Sequence, residues 1–384
     1  MSKRIAFLGK YYPIEGGSAS ATYWMARGLA KRGHDVHIIA DAWEASGSYQ
    51  IMNESEPAEK LPNLFIHRSE QEIPWHIPEY DEQPLALLDL TLDVIAKHNI
   101  EILDTGYLAP YGMVGHVAQR ITGVKHVARH GVSDMEEFFK KGLFKALLQG
   151  AIKCADAVVT DERYAGVFRP LNGNTHVLNP YVVDAESFVL PYTGGDRKHI
   201  AAAGKVNYYW DRKGMQHICD LMHNLVDDFN CTLVHQGLGL EEIQKLLGRN
   251  TIREFNWPGF MAPWQMPSFL SGLDALFVLK KPEPHSPVSN LALEALCAGV
   301  GIITDDADFS RHYENLVSTN EDQVLLINPE EIFSTSRAIT NWLTDKWVRQ
   351  PAAQKVAFSD YVAARERIYE GLGETRLSNM DVYR

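Results

Sequence analysis

The sequence contains few cysteines and no long hydrophobic run. Its four cysteines lie far apart and include no Cys-x-x-Cys pair, so they suit neither a disulfide framework nor a zinc cluster and predict a reducing compartment. No window approaches the roughly 18 consecutive apolar residues of a membrane-spanning helix, and the first residues lack the apolar stretch of a signal peptide. We therefore expect a soluble cytoplasmic protein.

An excess of basic residues is also lacking. Among 384 residues, 37 lysines and arginines stand against 49 aspartates and glutamates, which gives a formal charge of −12. The acidic excess is divided equally between residues 1–190 and 191–384, so neither half suits a phosphate backbone and nucleic acid is disfavoured as a partner. The length predicts about two to three domains.

Short apolar runs alternate with helical stretches over most of the chain. A strand at 5–8, a loop containing Gly16 and Gly17, a helix at about 18–31 and a strand at 36–40 form a unit typical of a parallel α/β sheet. A stretch rich in proline and glycine at 189–197 predicts a linker, and the alternation begins again at 199. The pattern predicts an α/β protein with two Rossmann-like domains, at 1–190 and 198–356.

The same pattern predicts further elements in both domains. Predicted strands lie at 102–103, 125–128, 157–160, 199–203, 231–235, 275–279 and 301–304, and predicted helices at 111–120, 134–152, 215–226 and 290–298.

Two motifs could hold phosphate. Gly16 and Gly17 let a ligand approach the backbone at a helix N-terminus, which favours anionic oxygens, although a simple tight turn is an equal alternative. Gly-x-Gly-x-x-Gly and P-loop patterns are absent here, so neither a dehydrogenase nor an ATPase is supported. Lys205, which follows Gly204, and Lys213, before a helix, could clamp a diphosphate or be solvated surface lysines.

A histidine and a glutamate are the other candidates. His130 follows a predicted strand at the edge where open α/β sheets bind ligands, and it could contact a substrate hydroxyl or act as a base. A structural histidine is the more frequent explanation at such a position. Glu294 lies on an otherwise apolar helix face, where a ribose diol, a salt bridge or an exposed helix position would satisfy it.

In this order and spacing, these segments resemble the retaining GT-B glycosyltransferases, which include bacterial sugar transferases for polysaccharides, phosphatidylinositol mannoside and mycothiol. The resemblance covers nearly the whole chain. The segments that carry it are Tyr11-Tyr-Pro-Ile-Glu-Gly-Gly17, His130-Gly-Val-Ser-Asp134, Asn179-Pro-Tyr-Val-Val-Asp184, Trp257-Pro-Gly-Phe260 and Leu293-Glu-Ala-Leu-Cys-Ala-Gly299. It implies two Rossmann-like domains facing across a cleft, with a C-terminal helix at about 357–384 packed back on the first domain.

The resemblance implies transfer of a sugar, with retention, from a nucleoside diphosphate sugar to a hydroxyl of a saccharide, lipid-linked or small-molecule acceptor. It favours UDP over GDP and implies no metal and no cofactor beyond this co-substrate. His130, Lys205 and Lys213 would be catalytic. The implied donor-binding residues are Gly16, Gly17, Gly204, Gly237, Pro258, Phe260, Ser286, Val288, Ser289, Asn290, Leu291 and Glu294. Acceptor residues would lie in variable loops within 43–84.

One departure from the family pattern affects the donor sugar. The family pairs two glutamates separated by seven residues, but Ser286 stands where the first would precede Glu294, and Pro287-Val-Ser289 replaces a Gly-Phe-Gly stretch. The identity of the sugar therefore does not carry over. Two other classes stay open: a GT-B sugar-nucleotide epimerase or phosphorylase, and a non-catalytic sugar-nucleotide-binding relative.

Peripheral membrane contact is a less favoured hypothesis. Residues 136–148 could form an amphipathic helix with a face that touches anionic lipid. That face carries Phe138, Phe139, Lys140, Lys141, Phe144 and Lys145. A core-facing helix with solvated lysines fits the net charge of −12 better.

Overall fold

The computed structural model contains two parallel β-sheets, each with helices packed against it. It describes residues 2–14, 16–42, 59–69, 82–131, 134–135, 145–205, 214–236, 240–247, 259–280 and 288–373. Among these residues, no helix is both long and apolar enough to cross a lipid bilayer.

The first sheet comprises seven parallel strands. They are β1 (Arg4–Leu8), β2 (Asp35–Ala42), β3 (Leu64–Ser69), β4 (Ile102–Thr105), β5 (Lys125–Arg129), β6 (Ala157–Thr160) and β7 (Thr175–Val177). Their order is β3-β2-β1-β4-β5-β6-β7. The helices of this region are α1 (Gly17–Lys31), α2 (Glu82–His98), α3 (Met113–Thr122), α4 (Lys145–Cys154) and α5 (Glu162–Phe168).

Both faces of this sheet are covered, because successive side chains of a strand point in opposite directions. Ile5 and Phe7 of β1 join the apolar cluster that contains α1 residues, whereas Ala6 and Leu8 join the cluster that contains α2 and α3 residues. The interior strand β1 is therefore apolar at every position from 5 to 8, as the sequence predicts for a strand between two layers of helices.

The second sheet comprises five parallel strands. They are β8 (His199–Lys205), β9 (Asn230–Gln236), β10 (Ala275–Phe277), β11 (Gly301–Thr304) and β13 (Val324–Leu326), in the order β13-β11-β10-β8-β9. Its helices are α6 (Ala185–Phe188), which precedes β8, and α7 (Met215–Leu225), α8 (Leu240–Leu247), α9 (Met266–Ser271), α10 (Asn290–Cys297), α11 (Phe309–Tyr313) and α12 (Ile332–Asn341). A short antiparallel pair is formed by β12 (Val317–Ser318) and β14 (Ala353–Gln354).

After β14 the chain returns to the first domain through α13 (Phe358–Glu370). Val362 packs so closely on Gly28 of α1 that a Cβ at Gly28 would lie 2.7 Å from Val362 Cγ2. The side-chain amide of Gln354 donates to Val183 O at 2.7 Å, so the outgoing and returning segments touch. Residues 374–384 of the predicted C-terminal helix lie outside the described residues.

Several predicted boundaries are wrong in an informative way. The strand predicted at 102–103 continues to Thr105, because Asp104 and Thr105 are completely buried. The helix predicted from 111 begins at Met113, after a π-type turn at Leu108–Gly112. Of the helix predicted at 134–152, α4 covers the second part and residues 136–144 lie outside the described ranges, so the membrane hypothesis stays a prediction.

Candidate active site

A cavity of about 430 Å³ lies between the two domains, where the strands of both sheets end. The first domain contributes the loop after β1 and the first turn of α1. The second domain contributes the ends of β8, β9 and β10 and the first turns of α7 and α10. Open α/β sheets bind ligands at the carboxyl ends of their strands, so the topology marks this cavity as the candidate site.

The N-terminus of α1 forms one wall of the cavity. Gly16 precedes the helix with φ 112, a backbone conformation that is strained for residues with a side chain. The first N–H groups of a helix have no partner within it and attract anions, and the first turn of α1 holds no acidic residue. This wall can therefore hold a phosphate group.

The two domains touch at Gly17. The side-chain amide of Asn290, on α10, donates to Gly17 O at 3.0 Å. A Cβ at Gly17 would lie only 3.0 Å from Asn290 Nδ2. Glycine therefore lets the two helix N-termini approach each other beside the cavity.

Glu294 of α10 also lines the cavity and is 4% exposed. The Tyr181 hydroxyl donates to Oε1 at 2.7 Å and the Ser20 hydroxyl at 3.3 Å. Glu294 is thus not at an exposed helix position, so that explanation is wrong, and no cation among the described residues pairs with it. Burial raises the pKa of Glu294 to about 7, against the lowering effect of the Tyr181 and Ser20 hydroxyls.

The second carboxylate oxygen of Glu294, Oε2, accepts no hydrogen bond from the part of the chain that the structure describes. Glu294 lines the cavity, and a carboxylate oxygen that lacks a protein donor needs water or a ligand hydroxyl as its partner. A ligand hydroxyl entering the cavity could satisfy this oxygen.

The remaining walls combine backbone and apolar surface. Gly204, with φ 147, faces open space, since a Cβ there would meet no atom within 4 Å. Phe260 is 6% exposed and belongs to a small apolar cluster with Ala262, Tyr12 and Trp264. Of the predicted donor-binding residues, those that line the cavity are Gly16, Gly17, Gly204, Phe260, Val288, Ser289, Asn290, Leu291 and Glu294.

His130 lies apart from the residues that line the cavity. Its Nε2 is 2.8 Å from Thr160 Oγ1 and its Nδ1 is 3.3 Å from Gly131 O. Phe168 stacks on the ring at a centroid distance of 4.9 Å, and Tyr164 meets it edge-on at 5.0 Å. Both ring nitrogens have protein partners, so the geometry favours the structural explanation, and the catalytic role of His130 stays a prediction.

Asp134 fixes the backbone of the same segment. Its Oδ2 accepts from the N–H groups of Gly131 at 2.7 Å and Leu108 at 2.8 Å, and its Oδ1 accepts from Ala109 at 3.2 Å. This buried carboxylate therefore joins the loop after β5 to the loop after β4.

No model of a protein family matches the chain. A curated relative, N-acetyl-alpha-D-glucosaminyl L-malate synthase of Bacillus anthracis, is 29% identical over 114 residues, which are 29% of this chain and 26% of that protein. The match thus spans about a quarter of the relative's length.

Solved structures match nearly the whole chain. Sucrose-phosphate synthase of Thermosynechococcus elongatus has a TM-score of 0.67 and 15% identity, covering 96% of this chain and 99% of that one. HepE of Anabaena, in complex with UDP and glucose, has a TM-score of 0.61, 15% identity and the same two coverages. Starch synthase IV of Arabidopsis thaliana, bound to ADP and acarbose, has a TM-score of 0.60 and 10% identity over 97% and 99% of the chains.

The chain has the GT-B fold. Its two Rossmann-like domains face each other across the cleft that contains the cavity. Four predicted site residues lie outside the described residues: Lys213, Gly237, Pro258 and Ser286. For a fifth, Lys205, the structure describes only the backbone, at the end of β8. The predicted diphosphate clamp therefore stays a prediction.

Sequence reasoning missed Ser20 and Tyr181, whose hydroxyls donate to Glu294. Ser20 lies one helical turn after Gly16, and Tyr181 lies within the segment 179–184 that contributes to the family resemblance. Their separations of 274 and 113 residues from Glu294 leave no local signal. Only the lack of a nearby partner for Glu294 indicates that distant donors must exist.

Proposed function

We propose that this GT-B protein is a glycosyltransferase that binds a nucleoside diphosphate sugar in its interdomain cleft. The observation that carries the proposal is the pairing of two features in one cavity: the N-terminus of α1, and Glu294 Oε2, which accepts no hydrogen bond from the described residues. The first suits a phosphate group, and the second suits the hydroxyls of a ribose. Ser20, in the first turn of α1, donates to Glu294 at 3.3 Å, so the two features are adjacent.

The ligands of the structural neighbours support this donor class. HepE structures hold UDP and UDP-glucose, and the starch synthase structure holds ADP. We propose UDP rather than GDP as the nucleotide, a retaining and metal-independent transfer, and a saccharide, lipid-linked or small-molecule acceptor. Retention and independence of a metal rest on the family resemblance of the sequence.

In the proposed reaction, the bond between the anomeric carbon and the diphosphate oxygen breaks while the acceptor oxygen bonds to that carbon. The acceptor proton passes to the leaving phosphate. The N-terminus of α1, with Lys205 and Lys213, would stabilise the negative charge on the diphosphate as it departs. Glu294 would orient the ribose and take no part in the bond changes.

Thermal unfolding with a panel of UDP-, GDP- and ADP-sugars tests donor binding, because a ligand of the folded state raises the melting temperature. We expect a UDP-sugar to give the largest rise. Glu294→Gln should reduce this rise, whereas Glu314→Gln, at an exposed position of the same domain, should not. A panel without any shift would contradict the proposed donor.

Product analysis tests the reaction. Wild-type protein should consume the donor and form a glycoside only when an acceptor is present. A changed donor sugar without acceptor would indicate an epimerase, and binding without any product would indicate a non-catalytic relative.

Lys213→Ala tests the charge stabilisation. Turnover should fall by about 10²-fold with a smaller change in donor affinity, as expected for a contact that strengthens in the transition state. Lys346→Ala removes an exposed lysine of the same domain and serves as the matched control. Equal turnover in both variants would argue against the clamp.

A further inference from the structure

Three histidines from separate segments meet at one edge of the first sheet. His37 Nδ1 lies 2.9 Å from His67 Nε2, and the ring centroid of His98 lies 4.6 Å from that of His37 and 5.0 Å from that of His67. One nitrogen from each ring can be chosen so that all three lie within 4.8 Å of one another. None of the three lines the interdomain cavity.

The pairing of β2 with β3 and the position of α2 explain why these three histidines lie close together. His37 pairs with Phe65 and Ile39 pairs with His67 in the β2–β3 ladder, so His37 and His67 are diagonal neighbours on one face. Ile39 packs in the cluster that contains α2 residues, which identifies this as the face that α2 covers. His98 is the last residue of α2 and reaches the same place.

The spacing of the nitrogens suits a metal ion. A tetrahedral Zn²⁺ with Zn–N bonds of about 2.0–2.1 Å places its ligand nitrogens roughly 3.3 Å apart. The separation of 2.9 Å between His37 Nδ1 and His67 Nε2 is close to that value. Because all three ligand nitrogens lie within 4.8 Å of one another, a rotation of the His98 side chain would bring the third nitrogen to the metal. A metal ion would take the place of the proton that His37 and His67 now share.

The surroundings are suited to a bound ion, because each imidazole can present a ring nitrogen to a metal. His37 is buried while His67 and His98 are half-buried, so an ion can reach the site and keep a water ligand. The C-terminal end of α2 adds the negative end of a helix dipole beside the cation.

We propose that His37, His67 and His98 form a binding site for a divalent transition-metal ion, Zn²⁺ in particular, with water as the fourth ligand. Imidazole nitrogens suit Zn²⁺, Cu²⁺ and Ni²⁺, whereas Mg²⁺ and Ca²⁺ prefer oxygen ligands. The ion links the edge strand β3 to the end of α2. It is a structural ion, and the site is independent of the proposed donor cavity.

The test uses the full chain, freed of metal with a chelator and titrated with Zn²⁺ in competition with a chromophoric chelator. Wild-type protein should bind one Zn²⁺ per chain tightly and gain melting temperature with added Zn²⁺. His98→Ala and His67→Ala should each weaken this binding by about 100-fold or more, because a lost ligand costs at least as much as a lost outer-shell partner. Mg²⁺ should give no shift.

His176→Ala is the matched control. His176 lies on β7, at the opposite edge of the same sheet, and its side chain hydrogen-bonds only Asn174 among the described residues. This variant should bind Zn²⁺ as the wild type does. Circular dichroism of each variant shows whether it is folded. Absence of a tight Zn²⁺ equivalent in the wild type, or equal affinity in all three variants, overturns the proposal.

Discussion

Two buried carboxylates, Asp104 in the first domain and Glu294 in the cleft, have opposite environments. Asp104 is 0% exposed and Glu294 is 4% exposed, and each joins segments that are far apart in the sequence. Asp104 Oδ1 accepts from Arg129 Nε at 2.5 Å, and its Oδ2 accepts from the Tyr369 hydroxyl at 2.7 Å. Arg365 Nη1 lies 3.5 Å from Oδ2.

As a result, the pKa values of the two carboxyl groups are shifted in opposite directions. Burial alone would raise the pKa of Asp104, but Arg129, Arg365 and the Tyr369 hydroxyl hold it below its usual value. Among the described residues, Glu294 accepts hydrogen bonds from hydroxyl groups alone, and burial raises its pKa to about 7. Protein groups satisfy both carboxylate oxygens of Asp104, whereas Glu294 Oε2 has no donor in the part of the chain that the structure describes, a contrast that fits the ligand-binding role proposed above.

The largest effect is expected for Asp104→Asn. This change leaves the buried guanidinium of Arg365 without its carboxylate, and breaking a buried pair in this way costs about 3–5 kcal/mol. Denaturant unfolding measures the loss in the free energy of unfolding. Asp93→Asn, at an exposed ion pair with Lys97, should cost less than about 1 kcal/mol; similar losses in both variants would contradict a special role for Asp104.

The next largest effect is expected in the pH dependence of stability when Glu294→Gln is compared with the wild type. Because the pKa of Glu294 rises from 4.5 to about 7 on folding, the folded state holds more protons than the unfolded state in that window. Wild-type stability therefore falls as the pH rises from about 4.5 to about 7. Glutamine does not titrate, so the stability of the variant relative to the wild type should improve by up to about 3 kcal/mol across this window.

Unfolding curves of both proteins at about pH 5 and about pH 8 measure this difference. A constant offset between the two proteins at both pH values would mean that Glu294 is already compensated, as Asp104 is, and the contrast between the two acids would be lost.

Tyr181→Phe should have a smaller effect. It removes the 2.7 Å hydrogen bond to Glu294 and keeps the ring, so the free energy of unfolding should fall by about 1.5–3 kcal/mol where the carboxylate is ionised. The loss should shrink at low pH, where Glu294 is protonated. A loss that is independent of pH would point to packing of the ring instead.

Ser20→Ala should have the smallest effect. Its hydrogen bond to Glu294 is long, at 3.3 Å, so we expect a loss of about 0.5–1 kcal/mol in the same unfolding measurement. A larger loss than in Tyr181→Phe would reverse the assignment of the main donor.

The order of strands and helices along the chain could largely be predicted, because apolar runs such as 157–160 and 301–304 are buried on both faces of their sheets. The prediction failed where a charged residue interrupts such a run. Asp104 ended the predicted strand at 103, and the partner Arg365 that allows its burial lies on α13, far away in the sequence. Likewise, β3 runs from three apolar residues into His67, Arg68 and Ser69, and the sequence pattern predicted no strand there.

In the candidate site, too, local patterns could be predicted from the sequence and long-range contacts could not. Gly16, Gly17 and Glu294 could be predicted because each breaks a local pattern. The hydroxyl partners of Glu294 and the meeting of His37, His67 and His98 depend on tertiary contacts, which leave no mark on local spacing.

The chain passes between the domains twice, and the two passages lie side by side. The outgoing segment after β7 and the returning segment at β14 are joined by the Gln354–Val183 hydrogen bond of 2.7 Å, and the Tyr361 hydroxyl donates to Pro180 O at 3.4 Å. Two domains joined by a single linker can separate in any direction. Two adjacent linkers instead favour a rotation of the domains about an axis that passes through both linkers. Widening of the cleft is then a hinge rotation that separates Asn290 from Gly17 while the two passages stay together.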